Sequence, residues 1–367
     1  MKRVFVAAIG FSVAFAAVTV IRTFECVPLE AVSETTANAS IGDLNGDGFL
    51  DIVLAKGRHW PLRDVVLFGD GKGHFTPGPP LPNAPDRSYS APLADVDKDG
   101  NLDIVLSNDS PDPKLILLND GKGRFTIGGT FGDPKWPTRN VAMADLNGDG
   151  YPDIAVANRP GPSYVCLNDG KVHFECKQLT PDSSTTILAG DMDGDGLTDL
   201  IVACRDECQS AVYFNDGKGN FPRKQPFGPE RSSIRAMAVA DFDGDGHLDI
   251  ATCDEAEHAL VIHFNDGKGA FSSSVQIARG GAVPYSMVAA DLNRDGKPEI
   301  IVGNVNAPGA IYYNDGSGRK YQRVPFGDSN GAVYGMAVAD LDGDGYPDIV
   351  AARSDAPSII LFSRHGK

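Results

Sequence analysis

The feature that most constrains this chain is a nine-residue loop, Asp43-Leu-Asn45-Gly-Asp47-Gly-Phe49-Leu-Asp51, that returns six more times. The later copies begin at Asp95, Asp145, Asp191, Asp241, Asp291 and Asp340, with spacings of 52, 50, 46, 50, 50 and 49 residues. A period near fifty residues confines the chain to repeat architectures, in which one supersecondary unit rests on the next.

Every copy follows D-x-[D/N]-x-D-G-x-x-[D/E]. Position 3 is Asn45, Asp97, Asn147, Asp193, Asp243, Asn293 and Asp342, and position 5 is Asp47, Asp99, Asp149, Asp195, Asp245, Asp295 and Asp344. Position 9 is Asp51, Asp103, Asp153, Asp199, Asp249, Glu299 and Asp348. A hard cation such as calcium gathers about six to eight oxygen ligands into a small sphere. Side chains at positions 1, 3 and 5 converge on such a sphere only if the backbone curls tightly, which the glycine at position 6 permits. Position 7 varies freely (Phe49, Asn101, Tyr151, Leu197, His247, Lys297, Tyr346), as fits a residue that offers only its carbonyl. Seven copies that keep oxygen donors at positions 1, 3, 5 and 9 predict up to one calcium ion per repeat. The Glu299 copy, with its longer side chain, is expected to bind most weakly. The loop is not an EF-hand, which carries a bidentate Glu at position 12 between two helices. Position 12 here is apolar in most copies (Leu54, Leu106, Val156, Val202), and the flanks are short β-type runs.

After each loop comes a strand-like run, a variable connection and a second run ending in its own turn. The turns read Phe68-Gly-Asp-Gly-Lys-Gly-His-Phe75, Leu118-Asn-Asp-Gly-Lys-Gly-Arg-Phe125, Phe214-Asn-Asp-Gly-Lys-Gly-Asn-Phe221 and Phe264-Asn-Asp-Gly-Lys-Gly-Ala-Phe271. Asp-Gly between apolar runs is a strong hairpin signal. Each repeat is therefore four strands, and four-stranded repeats in radial array are propeller blades. The seventh cycle stops after Ile359-Ile-Leu-Phe362 without a hairpin, whereas the segment Thr23-Phe24-Glu25-Cys26-Val27-Pro28-Leu29 reads as an orphan outer strand. The expectation is an all-β, seven-bladed propeller closed by an N-terminal strand that completes the last blade, which would also hide an otherwise open sheet edge.

On these loops and hairpins the chain resembles the FG-GAP/VCBS repeat family, whose best-known fold is the integrin α-subunit propeller. Certain calcium-binding propeller lectins share the plan. The resemblance spans essentially the whole chain after its N-terminal segment. It implies structural calcium and a binding or adhesion role. In the integrin propeller only some blades carry the loop, whereas here all seven do, a departure toward a bacterial-type or lectin-type propeller and away from an integrin-like partner.

Residues 1–21 read as a targeting segment: Lys2-Arg3, an apolar run from Val4 to Ile21, and Ala14-Phe15-Ala16 as an A-x-A-like cleavage site. The expected division is a signal peptide at 1–16, or an uncleaved anchor to about residue 21, followed by a single propeller at 17–367. The mature chain is then secreted, periplasmic or at the cell surface, and touches a membrane only if the segment is retained. Six cysteines suit an oxidising compartment. Cys166 and Cys176 flank a hairpin turn symmetrically, Cys204 and Cys208 bracket a short loop, and Cys26 and Cys253 are expected to be free and buried. The net charge of −16 argues against nucleic acid; seven divalent cations would bring it to about −2.

Two registers are expected to ring the channel mouth opposite the calcium loops. Six residues before each loop stand Ala37, Tyr89, Arg139, Thr185, Arg235, Tyr285 and Tyr334; five residues after each position 9 stand Lys56, Asn108, Asn158, Cys204, Asp254, Asn304 and Arg353. Tyrosine and arginine are enriched where proteins bind partners. Tyr89, Arg139, Arg235, Tyr285, Tyr334 and Arg353 are therefore the candidate ligand-binding residues, with Trp60 and Trp136 as further aromatics. No zinc-protease spacing, nucleophile elbow or reactive-cysteine signature is present. The leading expectation is a monomeric, secreted calcium-binding module for carbohydrate or a cell-surface protein. The alternative is a polysaccharide lyase or hydrolase on the same scaffold, using rim residues such as Asp254 and Arg353.

Overall fold

The computed structural model describes residues 21–364; the predicted cleavage site lies outside them. Seven antiparallel sheets form the ring; six pair in chain order from an inner to an outer strand, and the seventh takes its outermost strand from the N-terminal end of the described chain. Blade 1 comprises Thr36–Gly42, Asp51–Lys56, Val65–Gly69 and Phe75–Pro77, and blade 5 comprises Ile234–Ala240, Asp249–Asp254, Ala259–Phe264 and Ser273–Arg279. Blade 2 has a broken inner strand, Ser88–Ser90 followed by Leu93–Ala94. Pro92 lies in the break, where it has no N–H to donate to the ladder. Among the described residues no helix is long and apolar enough to cross a membrane.

Each blade cannot bury its faces alone, so the core lies between blades. The second strands, such as Asp51–Lys56 and Asp249–Asp254, are buried along their whole length, as expected of strands covered on both faces. One cluster joins Phe242, Ile262 and Phe264 of blade 5 to Met287, Ile300 and Tyr312 of blade 6. Equivalent clusters fill the other seams, including the one that joins blade 7 back to blade 1 through Val350, Ile360, Ile52 and Leu54.

The ring closes as expected: Thr23–Pro28 pairs antiparallel with Ile359–Arg364, with Glu25 opposite Phe362 and Cys26 opposite Leu361. Blades 2 to 6 use an asparagine at the end of the third strand as a clamp, where blade 1 has Gly69. Asn119 Nδ2 donates to the Leu44 carbonyl of the preceding blade at 2.8 Å, and Asn168, Asn215, Asn265 and Asn314 repeat the contact. Blade 7 has Ser363 at this position. There Arg22 takes part in the seam, donating through Nε to Ser363 Oγ at 2.8 Å and through its backbone N–H to Tyr313 of blade 6 at 3.1 Å.

Cys166 and Cys176 sit directly opposite each other on the third and outer strands of blade 3 and are bonded. Cys204 and Cys208 are also bonded. Cys253 is buried, but Cys26 is exposed, contrary to expectation, because the closing strand lies on the outside of blade 7.

Candidate functional site

The nine-residue loops lie between the first and second strands of each blade, and their geometry comes from the acidic residues themselves. In blade 1, Asp43 accepts the Gly46 N–H at 2.8 Å and the Gly48 N–H at 2.9 Å; Asn45 accepts from Asp47 and Asp47 from Phe49, both at 2.9 Å. The side chains thus curl the backbone into Asx-type turns. In blades 2, 5 and 7 one carboxylate oxygen from each of positions 1, 3 and 5 lies within 4.8 Å of the other two; in blade 4 positions 1, 3 and 9 do so. Blades 1, 3 and 6 carry asparagine at position 3, which offers an amide oxygen instead.

Position 9 does more than line a cage. Asp51 accepts the Leu44 N–H at 2.8 Å and the Gly69 N–H at 3.0 Å, stapling the loop to the third strand while fully buried. Five further blades repeat this pair of contacts. Glu299 keeps only the first, to Leu292 at 2.8 Å, and leaves its Oε1 buried without a hydrogen-bond partner. Burial pushes the carboxyls of Asp103, Asp153, Asp199, Asp249 and Asp348 up to about 6 and that of Glu299 up to about 8, against the pull of the backbone N–H donors. Buried oxygens without a hydrogen-bond partner also occur on Asp95, Asp193 and Asp243. Oxygen donors that are buried, converging and unsatisfied fit a hard divalent cation. A cation bound there would supply positive charge among like charges; the chain's own residues supply the curl and the staple.

Position 7 offers more than a carbonyl. Its side chain covers the hairpin turn of the same blade: a Cβ on Gly71 would lie 2.2 Å from the Phe49 ring. Gly71 also has a φ of +66°, so both the turn and the packing require glycine. Blade 7 has no such hairpin, and the Arg22 guanidinium sits 3.7 Å from the Tyr346 ring centroid instead.

The other end of the inner strands forms a cavity of about 400 Å³ at the channel mouth. All seven residues six positions before the loops line it: Ala37, Tyr89, Arg139, Thr185, Arg235, Tyr285 and Tyr334. Met237, Met287 and Met336, two residues farther along their strands, also line it.

The second expected register is elsewhere. Lys56, Asn108, Asn158, Cys204, Asp254, Asn304 and Arg353 are all buried and none lines the cavity. Asn108, Asn158 and Asn304 donate to the carbonyls of Pro113, Pro162 and Pro308, closing the second-to-third-strand connections. Arg353 is taken up by Asp328 at 2.7 Å and by the Pro357 carbonyl at 2.6 Å, which removes it from the ligand candidates. Asp254 accepts the backbone N–H groups of Ser233, Ala256 and Glu257, so the two residues considered for catalysis are structural and lie in different blades. The register was one residue early. Successive side chains on a strand alternate in direction, and the next position carries Asp109, Arg159, Arg205 and Glu255 around the mouth.

Charge and aromatic rings alternate there. The Arg139 guanidinium lies 4.4 Å from the Tyr89 centroid, Arg58 lies 5.9 Å from Tyr89 and 3.5 Å from Tyr334, and Arg235 lies 5.4 Å from Tyr334 and 4.0 Å from Tyr285. Arg58, which neither register included, enters from the loop after the second strand of blade 1. Its φ is +50° and follows Gly57 at +107°. The loop is pinned by reciprocal backbone bonds between Leu62 and Asp86 at 2.9 and 3.0 Å. In that loop Trp60 is 71% exposed. Trp136, by contrast, stacks on Tyr164 at 3.9 Å and belongs to the blade 2–3 core.

The chain is similar in fold to BBS1N in crystals of its complex with ARL6DN. The lead-soaked form gives a TM-score of 0.63 at 12% identity, covering 95% of this chain and 98% of that one. The mercury-soaked form gives 0.64 with the same identity and coverage. No curated protein matches the chain. The model of the FG-GAP-like repeat matches residues 43–106, 95–156, 145–202, 191–252, 251–302 and 299–351. With repeats matched from the first loop through the last, the chain belongs to the FG-GAP-like repeat family.

Proposed function

We propose that this propeller is a secreted, calcium-stabilised binding module whose ligand, a carbohydrate, docks at the channel mouth. The observation that carries the reading is the convergence of Tyr89, Tyr285, Tyr334, Arg58, Arg139 and Arg235 on one cavity, at the end of the ring opposite the loops. Its volume of about 400 Å³ is at the lower end of ordinary small-ligand sites, roughly 300–1,000 Å³. This suits the end of a glycan better than a groove along one. Trp60, exposed beside the mouth, offers an uncovered ring face for a second sugar. Calcium is structural in this reading, since the loops lie about 20 Å away along the inner strands, judged from the rise per strand residue. Two disulfides favour an oxidising compartment.

A glycan-array screen with calcium and after chelation tests the proposal. Binding to glycan termini that is lost in Tyr334→Ala and Trp60→Ala variants supports it. A blank array from a folded, calcium-loaded protein overturns it. A protein partner at the same face is the second reading, favoured by the complex in which the BBS1N propeller is found. The lyase or hydrolase alternative has lost its named residues, Asp254 and Arg353, to structural roles.

A further inference from the structure

The mouth carries more positive charge than its partners neutralise. Five arginines line the cavity: Arg58, Arg139, Arg159, Arg205 and Arg235. Three carboxylates answer them. Asp109 pairs with Arg139 at 2.7 Å and Asp206 with Arg159 at 2.8 Å, while Glu255 is shared between Arg205 at 2.5 Å and Arg235 at 3.9 Å. Arg58 has no carboxylate within ion-pair distance among the described residues. Its guanidinium donates to Ser354 Oγ at 3.4 Å, and its Nε is buried without a partner. Burial and then the neighbouring Arg205 depress Arg235 to about 10, against the opposing pull of Glu255. A local cation excess runs against the composition of a chain whose net charge is −16.

The stacking geometry says what this excess is suited to hold. With guanidinium carbons 3.5–4.4 Å from the centroids and over the rings of Tyr334, Tyr285 and Tyr89, each tyrosine has one face already covered. Those faces are closed to a neutral sugar. A stacked guanidinium, however, keeps its N–H edge free, and that edge matches a carboxylate or sulfate in bidentate fashion. The side chains are also held in place before any ligand arrives, by the rings behind them and by the pinned Gly57–Arg58 loop.

We infer that the mouth selects an acidic sugar, a uronate or a sulfated unit at the end of a glycan, with its anionic group on the edges of Arg58 and Arg235. This rests on the sugar-binding reading above and adds the charge of the ligand. The test is titration calorimetry of the calcium-loaded protein with matched probes: methyl glucuronide against methyl glucoside, galactose 6-sulfate against galactose, and sodium sulfate alone. The expected result is at least tenfold tighter binding of the acidic member of one pair, which identifies the anion as carboxylate or sulfate. That preference falls as ionic strength rises from 0.05 to 0.5 M. Arg58→Ala should lose roughly 10- to 100-fold, the range expected for a charged hydrogen-bond pair, and Arg58→Lys should recover part of it, both with an unchanged melting temperature. Equal binding of acidic and neutral probes overturns the inference and leaves the sugar-binding module standing. Sulfate alone binding as tightly as the sulfated sugar overturns it as well. If no probe binds, both readings fail together.

Discussion

At one end of the inner strands every blade presents a loop of one pattern, with oxygen donors at the same positions and, in all but the Glu299 blade, the full position-9 staple. At the other end, six residues back along those strands, the residue is Ala37, Tyr89, Arg139, Thr185, Arg235, Tyr285 or Tyr334, so the chemistry changes from blade to blade. The loop end solves one local problem seven times: it satisfies backbone N–H groups and gathers carboxylates. The mouth is a single site assembled once from seven segments, so repetition would defeat it. Stability should therefore depend on the first region and ligand selection on the second, and four perturbations break or sharpen that division.

The largest effect expected is from chelation. Metal bound only by the folded chain stabilises it by about 2.7 kcal/mol per site at a hundredfold excess over Kd. Removing several ions with EDTA should lower the melting temperature by roughly 10 °C or more. A calorimetric scan indifferent to EDTA would refute the metal reading of the loops. Next, Asp249→Ala removes a buried carboxylate that accepts two backbone N–H groups, from Phe242 at 3.0 Å and Asn265 at 2.9 Å. It should cost about 2–4 kcal/mol in urea unfolding. Affinity at the mouth should stay within twofold; a large loss of affinity would show that the two ends are not separable.

Asn119→Ala isolates a smaller component, the clamp between blades. It leaves the Leu44 and Leu102 carbonyls without their donor, at 2.8 and 3.0 Å, and should cost about 1–3 kcal/mol. If that variant instead unfolds as readily as Asp249→Ala, the clamp and not the staple governs the loop end. The smallest effect is a pH dependence under the blade 1–2 connection. Burial and Asp86 push the Asp64 carboxyl up to about 8, though the Lys56 N–H and Ser88 Oγ–H donate to it at 2.7 and 2.9 Å. A carboxyl raised in the folded state stabilises it at low pH, and that contribution is lost as pH rises through about 8. Melting temperature should fall as pH rises toward about 8 and level off above it, and Asp64→Asn should flatten the decline. An equal decline in the variant would place the titration elsewhere.

Much of the architecture was legible because its signals are local and repeated. The seven loops, the Asn-Asp-Gly hairpins, the Cys166–Cys176 pairing and the closing strand at Thr23–Pro28 all depend on contacts between residues a few positions apart or on a repeat missing its last piece. The mouth was legible in part. Counting back six residues from each Asp found one ring of it, since strand length is set by the repeat. Counting forward failed by one residue, and on a strand one residue decides whether a side chain such as Arg353 is buried between strands or its neighbour faces the channel. Asn119, Phe49 and Cys26 were misjudged or missed for a related reason: their partners belong to another blade, to a turn about twenty residues on, or to the rim of the ring.

The sequence by itself determined the number of blades, the order of strands within each, the places where oxygen donors gather and the strand that closes the circle. Tertiary structure alone decided that Arg58, from a loop outside every repeated register, stacks on Tyr334, that Glu255 is divided between two arginines, and that Arg353 is consumed by Asp328. The physical reason is one of range. Hydrogen-bonded turns and strand pairings are written in short spacings that a period of about fifty residues repeats, whereas charge balance in a central cavity depends on which side chains seven distant segments bring within a few ångströms of one another.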